Sequence, residues 1–286
     1  MKRRTMLLGL TGLASGPLAA PSGASATSAL TSALDPHKPA DLGLLQKKLI
    51  YATDDRPLIW WGRGVKYGSI NGEITPLWRL NVLLFKAVSQ RADGSFDARV
   101  MELVYKTDVE TDALLRQWRN PYNGEVYEEV PLIMGPLSRH FTDAGPVSQS
   151  ELPGAEIIRE GSLGPAEIAG DRVWLITDAH VVVNREGQAT FRAHDLKTYH
   201  GRVSDVLNPA IASAPATLTV HIIQSWHPWM NMGDREGTLV TRLSGAKCFQ
   251  VADIHPRIRS LLEAGHPDIA RDFVGRLAQP PERFDR

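Results

Sequence analysis

Tyr105-Lys-Thr-Asp-Val-Glu-Thr-Asp-Ala-Leu-Leu-Arg-Gln-Trp-Arg-Asn-Pro-Tyr-Asn-Gly-Glu-Val-Tyr-Glu-Glu-Val130 reads as two strand segments with a punctuated connection between them. Pro121 fixes its own φ and pushes Asn120 out of the helical region. Asn123-Gly124 offers the positive φ values that a tight hairpin needs. The residues on either side are rich in Val, Tyr and Trp, the composition of a pleated, half-buried surface.

Working outward, the same alternation recurs along the chain. Strands are predicted over Leu58–Tyr67, Pro76–Gln90, Phe96–Thr107, Glu125–Leu132, Asp171–Asn184, Thr190–His200, Thr217–Trp226, Thr238–Leu243 and Ala246–Val251, the last two separated by a Ser244-Gly245 turn. On the Phe96–Thr107 strand, Glu102, Val104 and Lys106 share one face, and Met101, Leu103, Tyr105 and Thr107 the other. Asp54-Asp55-Arg56-Pro57, Ile70-Asn71-Gly72-Glu73 and Asp93-Gly94 mark turns. Residues 135–165 are rich in Gly, Pro and Ser and read as the longest loop, with a short strand at Glu156–Glu160. Helical spacing occurs only near the ends, at Asp41–Leu49 and Pro256–Ala264.

Many short strands without βαβ alternation or internal repeat predict an antiparallel all-β fold. A closed or nearly closed barrel over residues 41–270 removes the exposed edges and leaves room for a ligand. A two-sheet sandwich is the alternative.

The first residues carry an address. Arg3-Arg4 precede an apolar run to about Ala20, and Ala24-Ser25-Ala26 forms an A-x-A-like cleavage site. The reading expects a twin-arginine export signal over 1–26, engagement of the twin-arginine machinery, and a periplasmic or otherwise exported product starting near Thr27. Residues 27–40 then form a flexible lead-in, and 271–286 a polar tail. No other stretch is apolar over the ~20 residues a helical span requires, so no transmembrane segment is expected in the mature chain.

Charge excludes one class. Lys plus Arg number 32 and Asp plus Glu 32, and no basic run or patch is visible. Loss of Lys2, Arg3 and Arg4 with the leader tips the remainder acidic. Nucleic-acid binding needs clustered cations and is not expected. Cys248 is the only cysteine, so no internal disulfide forms. In the strand Lys247–Val251 it reads as a small core residue rather than a nucleophile.

Asp108, Trp118, Asn120-Pro121 and Gly124-Glu125, followed by Trp226, Trp229, Met232-Gly233, Gly237, Gly245, Lys247 and His255-Pro256, resemble the signature of the DUF1838 family, exported bacterial proteins of unknown function. The resemblance spans roughly Asp41 to Ala270. It implies no activity and transfers no catalytic residue.

Candidate chemistry rests on the residues alone. No elbow for a nucleophilic serine, phosphate loop, dinucleotide fingerprint or metal motif is present, so no cofactor is named and no metal ligand is assigned. A barrel that gathered Asp178, His180, His194 and His221 in its lumen would create a proton-exchanging pair or a metal site. The bland alternative makes Asp178–His180 a solvated outer pair and His221 a hydrogen-bonded core residue. Glu102 in an apolar strand reads either as a carboxyl with a raised pKa or as a solvent-facing partner of Lys106 or Arg99. Trp226, His227 and Trp229 would line a cavity mouth, with Tyr105 opposite and Trp174 on the wall.

His221 and Trp226 point to opposite faces of a regular strand. Both enter one lumen only through a bulge near Gln224-Ser225; otherwise His227 joins His221. The function expected is an exported binder of a small apolar or aromatic molecule, with acid/base turnover (isomerase, lyase or hydratase type) left open. A non-catalytic structural or interaction protein of the envelope is the alternative.

Overall fold

Trp60 and Trp61 decide the inside and outside of the sheet. Both lie on β1 (Leu58–Ile70), and the pleat sends them to opposite faces. Trp60 packs against Tyr199 at 5.3 Å between ring centroids, while Trp61 meets His255 at 5.5 Å. The structure is a computed structural model. It describes residues 34–142, 145–146, 150–152 and 155–280, without the side chains of 145–146 and 150–152. The predicted leader, the first half of the lead-in and the last tail residues lie outside the described residues.

The other strands are β2 (Glu73–Gln90), β3 (Phe96–Thr107), β4 (Gln117–Arg119), β5 (Val126–Glu128), β6 (Leu132–Thr142), β7 (Gly145–Pro146), β8 (Ser150–Leu152), β9 (Ala155–Ala169), β10 (Arg172–Asn184), β11 (Phe191–Arg202), β12 (Thr217–Gln224) and β13 (Thr238–Cys248). Eleven of them form one antiparallel sheet in the order β7-β6-β3-β2-β1-β13-β12-β11-β10-β9-β8, and β4 and β5 form a separate ribbon. The first and last strands pair directly, with Ile59 opposite Cys248.

Strands far apart in this order share one core. Trp60, Val100, Leu175, Tyr199 and Leu218 belong to a single buried cluster, which requires the sheet to curl. The antiparallel all-β reading therefore stands, and the closed barrel is corrected. Among the described residues no ladder joins the β6–β7 edge to the β8–β9 edge, so the sheet is curled but open along that seam. The sandwich alternative does not fit a single continuous sheet.

Both ends of the curl are filled. Helix α1 (Pro39–Leu45) and a π-helical turn (Gln46–Ile50) enter one end. There Leu45, Leu49 and Tyr51 are buried, and Trp60 Nε1 donates to Ile50 O at 3.0 Å. At the other end the ribbon and the 226–232 segment pack Trp78, Trp118, Met230 and Trp229 together.

The convex face is only half covered. Helices α3 (Pro256–Gly265), α4 (Pro267–Arg271) and α5 (Phe273–Ala278) lie over β1–β3, burying Phe85, Leu103 and Tyr105 beneath Ile258, Leu262 and Phe273. The expected polar tail thus begins with a helix that buries Phe273 and Leu277. A further helix, α2 (Val203–Leu207), follows β11.

Three sequence expectations change for local reasons. The expected loop over 135–165 contains most of β6 and β9. Gly135-Pro136 and Gly164-Pro165, which signalled loop, sit instead where the register shifts against β3 and β10. Proline is tolerated in strands at such irregularities. The Ser244-Gly245 turn is absent, because β13 runs straight through it. A Cβ at Gly245 would lie 1.8 Å from Trp61 O, so glycine there permits close strand approach rather than a turn. The Glu125–Leu132 strand divides into β5 and the start of β6.

Candidate functional site

Register fixes which side chains enter the curl. On β1 and β2, Lys66 lies opposite Trp78 and Trp60 opposite Leu84, all on the concave face. The ladders carry that face to Glu102 and Lys106 on β3, Asp195 and Lys197 on β11, Gln224 on β12, and Thr241 and Lys247 on β13. The interior is therefore rich in lysine: Lys66, Lys86, Lys106, Lys197 and Lys247 face Glu102 and Asp195. Arg139 and Arg159 add further positive charge from β6 and β9.

Several of these charges have a compensation. Lys106 Nζ bonds both Glu129 carboxylate oxygens, at 2.8 and 2.7 Å, beneath the rings of Trp78 and Trp229. Asp195 takes Lys197 and Arg159. Burial pushes its carboxyl upward, but those two cations outweigh burial and hold the pKa below the usual value. Lys247 Nζ donates to Lys48 O and Leu49 O at 2.7 and 2.9 Å. Lys86 lies 4.3 Å from the Tyr51 ring centroid.

Lys66 has a neutral partner, Gln224 Oε1, at 3.0 Å. Burial, reinforced by the Lys106 charge, lowers its pKa to about 7. Burial likewise brings Lys247 to about 7 and holds Lys86 well below the normal range. Burial raises Glu102, and nearby Asp195 adds to the shift. His227, 3.2 Å from Gln224 Nε2, is pushed far down by burial and then by Lys66 and Lys106, so its imidazole is neutral.

The middle of the curl differs from its ends. Val82, Leu84, Glu102, Met134, Ile222 and Leu243 point inward yet remain half-buried, whereas Leu58, Trp60 and Tyr199 toward one end and Trp78 and Met230 toward the other are buried. Thr241 Oγ1, Trp78 Nε1 and Asp195 Oδ1 are buried without a protein hydrogen-bond partner. Such atoms cost about 1–3 kcal/mol each when left unsatisfied. Apolar walls, a few charges and unpaired polar atoms thus meet inside the curl.

The expected site residues separate into four places. Glu102, His227 and Trp229 belong to the interior and its cap, and His227 stacks on Trp229 at 5.5 Å. Trp226 stands at the rim against Tyr122 and donates from Nε1 to Arg235 O at 3.0 Å. Tyr105 is corrected: it lies on the convex face, buried under α3–α4, with its hydroxyl 2.6 Å from His266 Nδ1. The expected gathering of Asp178, His180, His194 and His221 in the lumen is also corrected.

All four of those residues, and Trp174, face outward, because the concave face of β10–β12 belongs to Leu175, Ala179, Asp195 and Val220. His221 is exposed, and β12 ends at Gln224, so His227 turns inward without it. Trp174 meets the edge of His200, at 6.4 Å. Cys248 is buried with its thiol raised to about 12, in keeping with a core residue.

Outside, Asp178, His180 and His194 still form a group. His180 is directly opposite His194 on β11, their rings stack at 4.1 Å, and His194 Nε2 is hydrogen-bonded to Asp178 Oδ1. One ligand atom from each lies within 4.8 Å of the others. Two shallow depressions, of about 500 and 510 Å³, also mark the surface; the first is bounded by Trp61, His200, Thr217 and Gly245.

Lys66, Lys197, Asp195 and Lys247 escaped the sequence reading. The signal was present in strand parity: Asp195 and Lys197 share a face with Tyr199, as Lys106 does with Glu102. No helix among the described residues is long and apolar enough to cross a membrane. Residues 55–272 match the model of a family described as a protein of unknown function, DUF1838. No curated protein and no solved structure matches the chain.

Proposed function

The chain belongs to the DUF1838 family, and from its geometry we propose a non-catalytic binding protein that holds a small apolar or aromatic molecule bearing an acidic group. The observation that carries this reading is the half-buried middle of the curl between two filled ends. Apolar Val82, Leu84 and Leu243 suit the body of such a ligand. The excess of lysine suits a carboxylate or sulfonate, which would restore the proton on Lys66 and accept from Thr241 or Trp78. Among the described residues, no nucleophile, base and orienting group inside the curl are hydrogen-bonded in series.

Binding of 1-anilinonaphthalene-8-sulfonate, an aromatic anion, tests the proposal through its own emission. Competition with a medium-chain fatty acid should displace it. Filling the space with Val82→Phe plus Leu243→Phe should weaken binding about tenfold, or roughly 1.4 kcal/mol. Equal binding by the filled variant would remove the interior from the reading.

The filled ends and the shallow outer depressions favour a second reading, a non-catalytic interaction protein of the envelope. Its expected result is absence of probe binding in the wild type. Export by the twin-arginine route belongs to the proposal and rests on Arg3-Arg4 and Ala24-Ser25-Ala26. N-terminal sequencing of periplasmic material should begin near Thr27.

A further inference from the structure

We propose that Asp178, His180 and His194 form a surface site for one divalent transition-metal ion of zinc's class. Two imidazoles and one carboxylate are borderline donors that suit zinc, nickel, cobalt or copper rather than calcium or magnesium. The backbone organises them. Asp178 and His180 are two residues apart on β10 and so share a face, and His194 is the cross-strand partner of His180 on β11.

The distances require only side-chain adjustment. The three donor atoms lie within 4.8 Å of one another. A tetrahedral ion with bonds of about 2.0–2.1 Å separates its donors by roughly 3.3 Å, so the group contracts through χ rotation while both strands stay fixed. His194 Nε2 already faces the Asp178 carboxylate. Binding moves the His194 proton to Nδ1 and places the ion on the Nε2 lone pair, with Asp178 as the counter-charge.

The surroundings favour occupancy from solvent. The covering helices pack over β1–β3, and His180 is exposed. Leu196 stands beside Asp178 in register and Ile223 beside His194, with Ser162 and Glu160 on the other side, so the donors rise from a mixed surface. Glu160, in register with His180 on β9, adds negative charge beyond the three donors. Three protein ligands leave an outward coordination position for water or an external anion.

The test uses the full-length chain, without a histidine tag and stripped by chelator. Calorimetric titration with Zn²⁺ should give one ion per chain, and Co²⁺ should develop visible d–d absorption. His180→Ala, His194→Ala and Asp178→Asn should each weaken Zn²⁺ binding by at least about tenfold. Their metal-free melting temperatures should stay unchanged, and His221→Ala should bind as the wild type does. His180→Gln carries the test if His180→Ala melts lower. Failure of the wild type to bind Zn²⁺ overturns the proposal, as does wild-type affinity in the three variants. Binding of the sulfonate probe inside the curl should be unaffected by Zn²⁺, so the two readings fail separately.

Discussion

Asn120, fully buried, donates from Nδ2 to the carbonyl oxygen of Met230 at 3.1 Å. Its Oδ1 accepts from the Tyr122 backbone at 3.0 Å, so one side chain closes its own turn and docks a segment far along the chain. Asn123 Nδ2 and Tyr127 Oη also donate to Met230 O, at 3.0 and 2.9 Å. Asn120→Ala should lower stability by about 1–3 kcal/mol, the cost of stranding buried partners. Asn123→Ala, nearer solvent, should cost less. Urea denaturation followed by tryptophan emission measures both, and equal losses would contradict the docking role.

The buried lysines make stability depend on alkaline pH. In the folded state Lys66 and Lys247 each lose their proton near 7, whereas unfolded lysine does so near about 10.4. Below 7 both states carry the proton, and these groups give no slope. Between the two values the unfolded chain binds more protons, so stability rises with pH, by about 1.4 kcal/mol per unit for each group. Lys66→Met should raise the melting temperature at pH 7 and reduce the slope between pH 7 and 10. Identical slopes in variant and wild type would remove Lys66 as a source.

Asp112 governs the acid side. Burial raises its carboxyl, but the hydrogen bond from Thr107 and the guanidinium groups of Arg63 and Arg257 outweigh burial and hold it below the ordinary value. Its contribution is complete above the unfolded pKa of about 3.9 and is lost as pH falls through the depressed folded value. Asp112→Asn should cost about 1–2 kcal/mol at pH 7, a figure discounted for partial exposure. The gap from wild type should close on acidification, as followed by circular dichroism. A constant gap down to pH 2 would assign the loss to packing.

Gly245→Ala tests the close strand approach. Its Cβ would meet Trp61 O at 1.8 Å and Gly62 Cα at 2.8 Å, both backbone atoms that cannot swing aside. The expected loss is about 3 kcal/mol. Ser244→Ala, an exposed neighbour, should be close to neutral. A melting temperature for Gly245→Ala within a degree of wild type would contradict the geometry.

Periodicity made much of the sheet legible. Phe96–Thr107 appears with the expected bounds and with Glu102 and Lys106 on the expected shared face. The turn at Asn120–Gly124 was also readable from its residues, although the short strand β4 that precedes it was not expected. Gly135-Pro136, Gly164-Pro165 and Gly245 misled because glycine and proline serve bulges and close approach as well as turns. The site was harder to read, because alternation says which residues share a face without saying which face is concave. That choice depends on what covers each side, namely α1 within the curl and α3–α5 outside it. Parity correctly put Asp178 and His180 on one face, and of the two readings offered for them the solvated outer pair is the one observed, whereas His221 is exposed rather than a core residue.

The pairing of Ile59 with Cys248 also sets a timetable. β1 can acquire β2 as soon as that strand is made, but its other edge waits for nearly the last strand of the sheet. At about 5–20 residues per second, the intervening ~190 residues take roughly 10–40 s to synthesise. During that interval β1 presents a free row of backbone donors and acceptors, the kind of edge that recruits other chains. High sequence separation slows the final annealing further. One edge of β1 therefore stays unpaired until β13 arrives, and a chain that crossed a membrane unfolded would postpone that meeting to the far side.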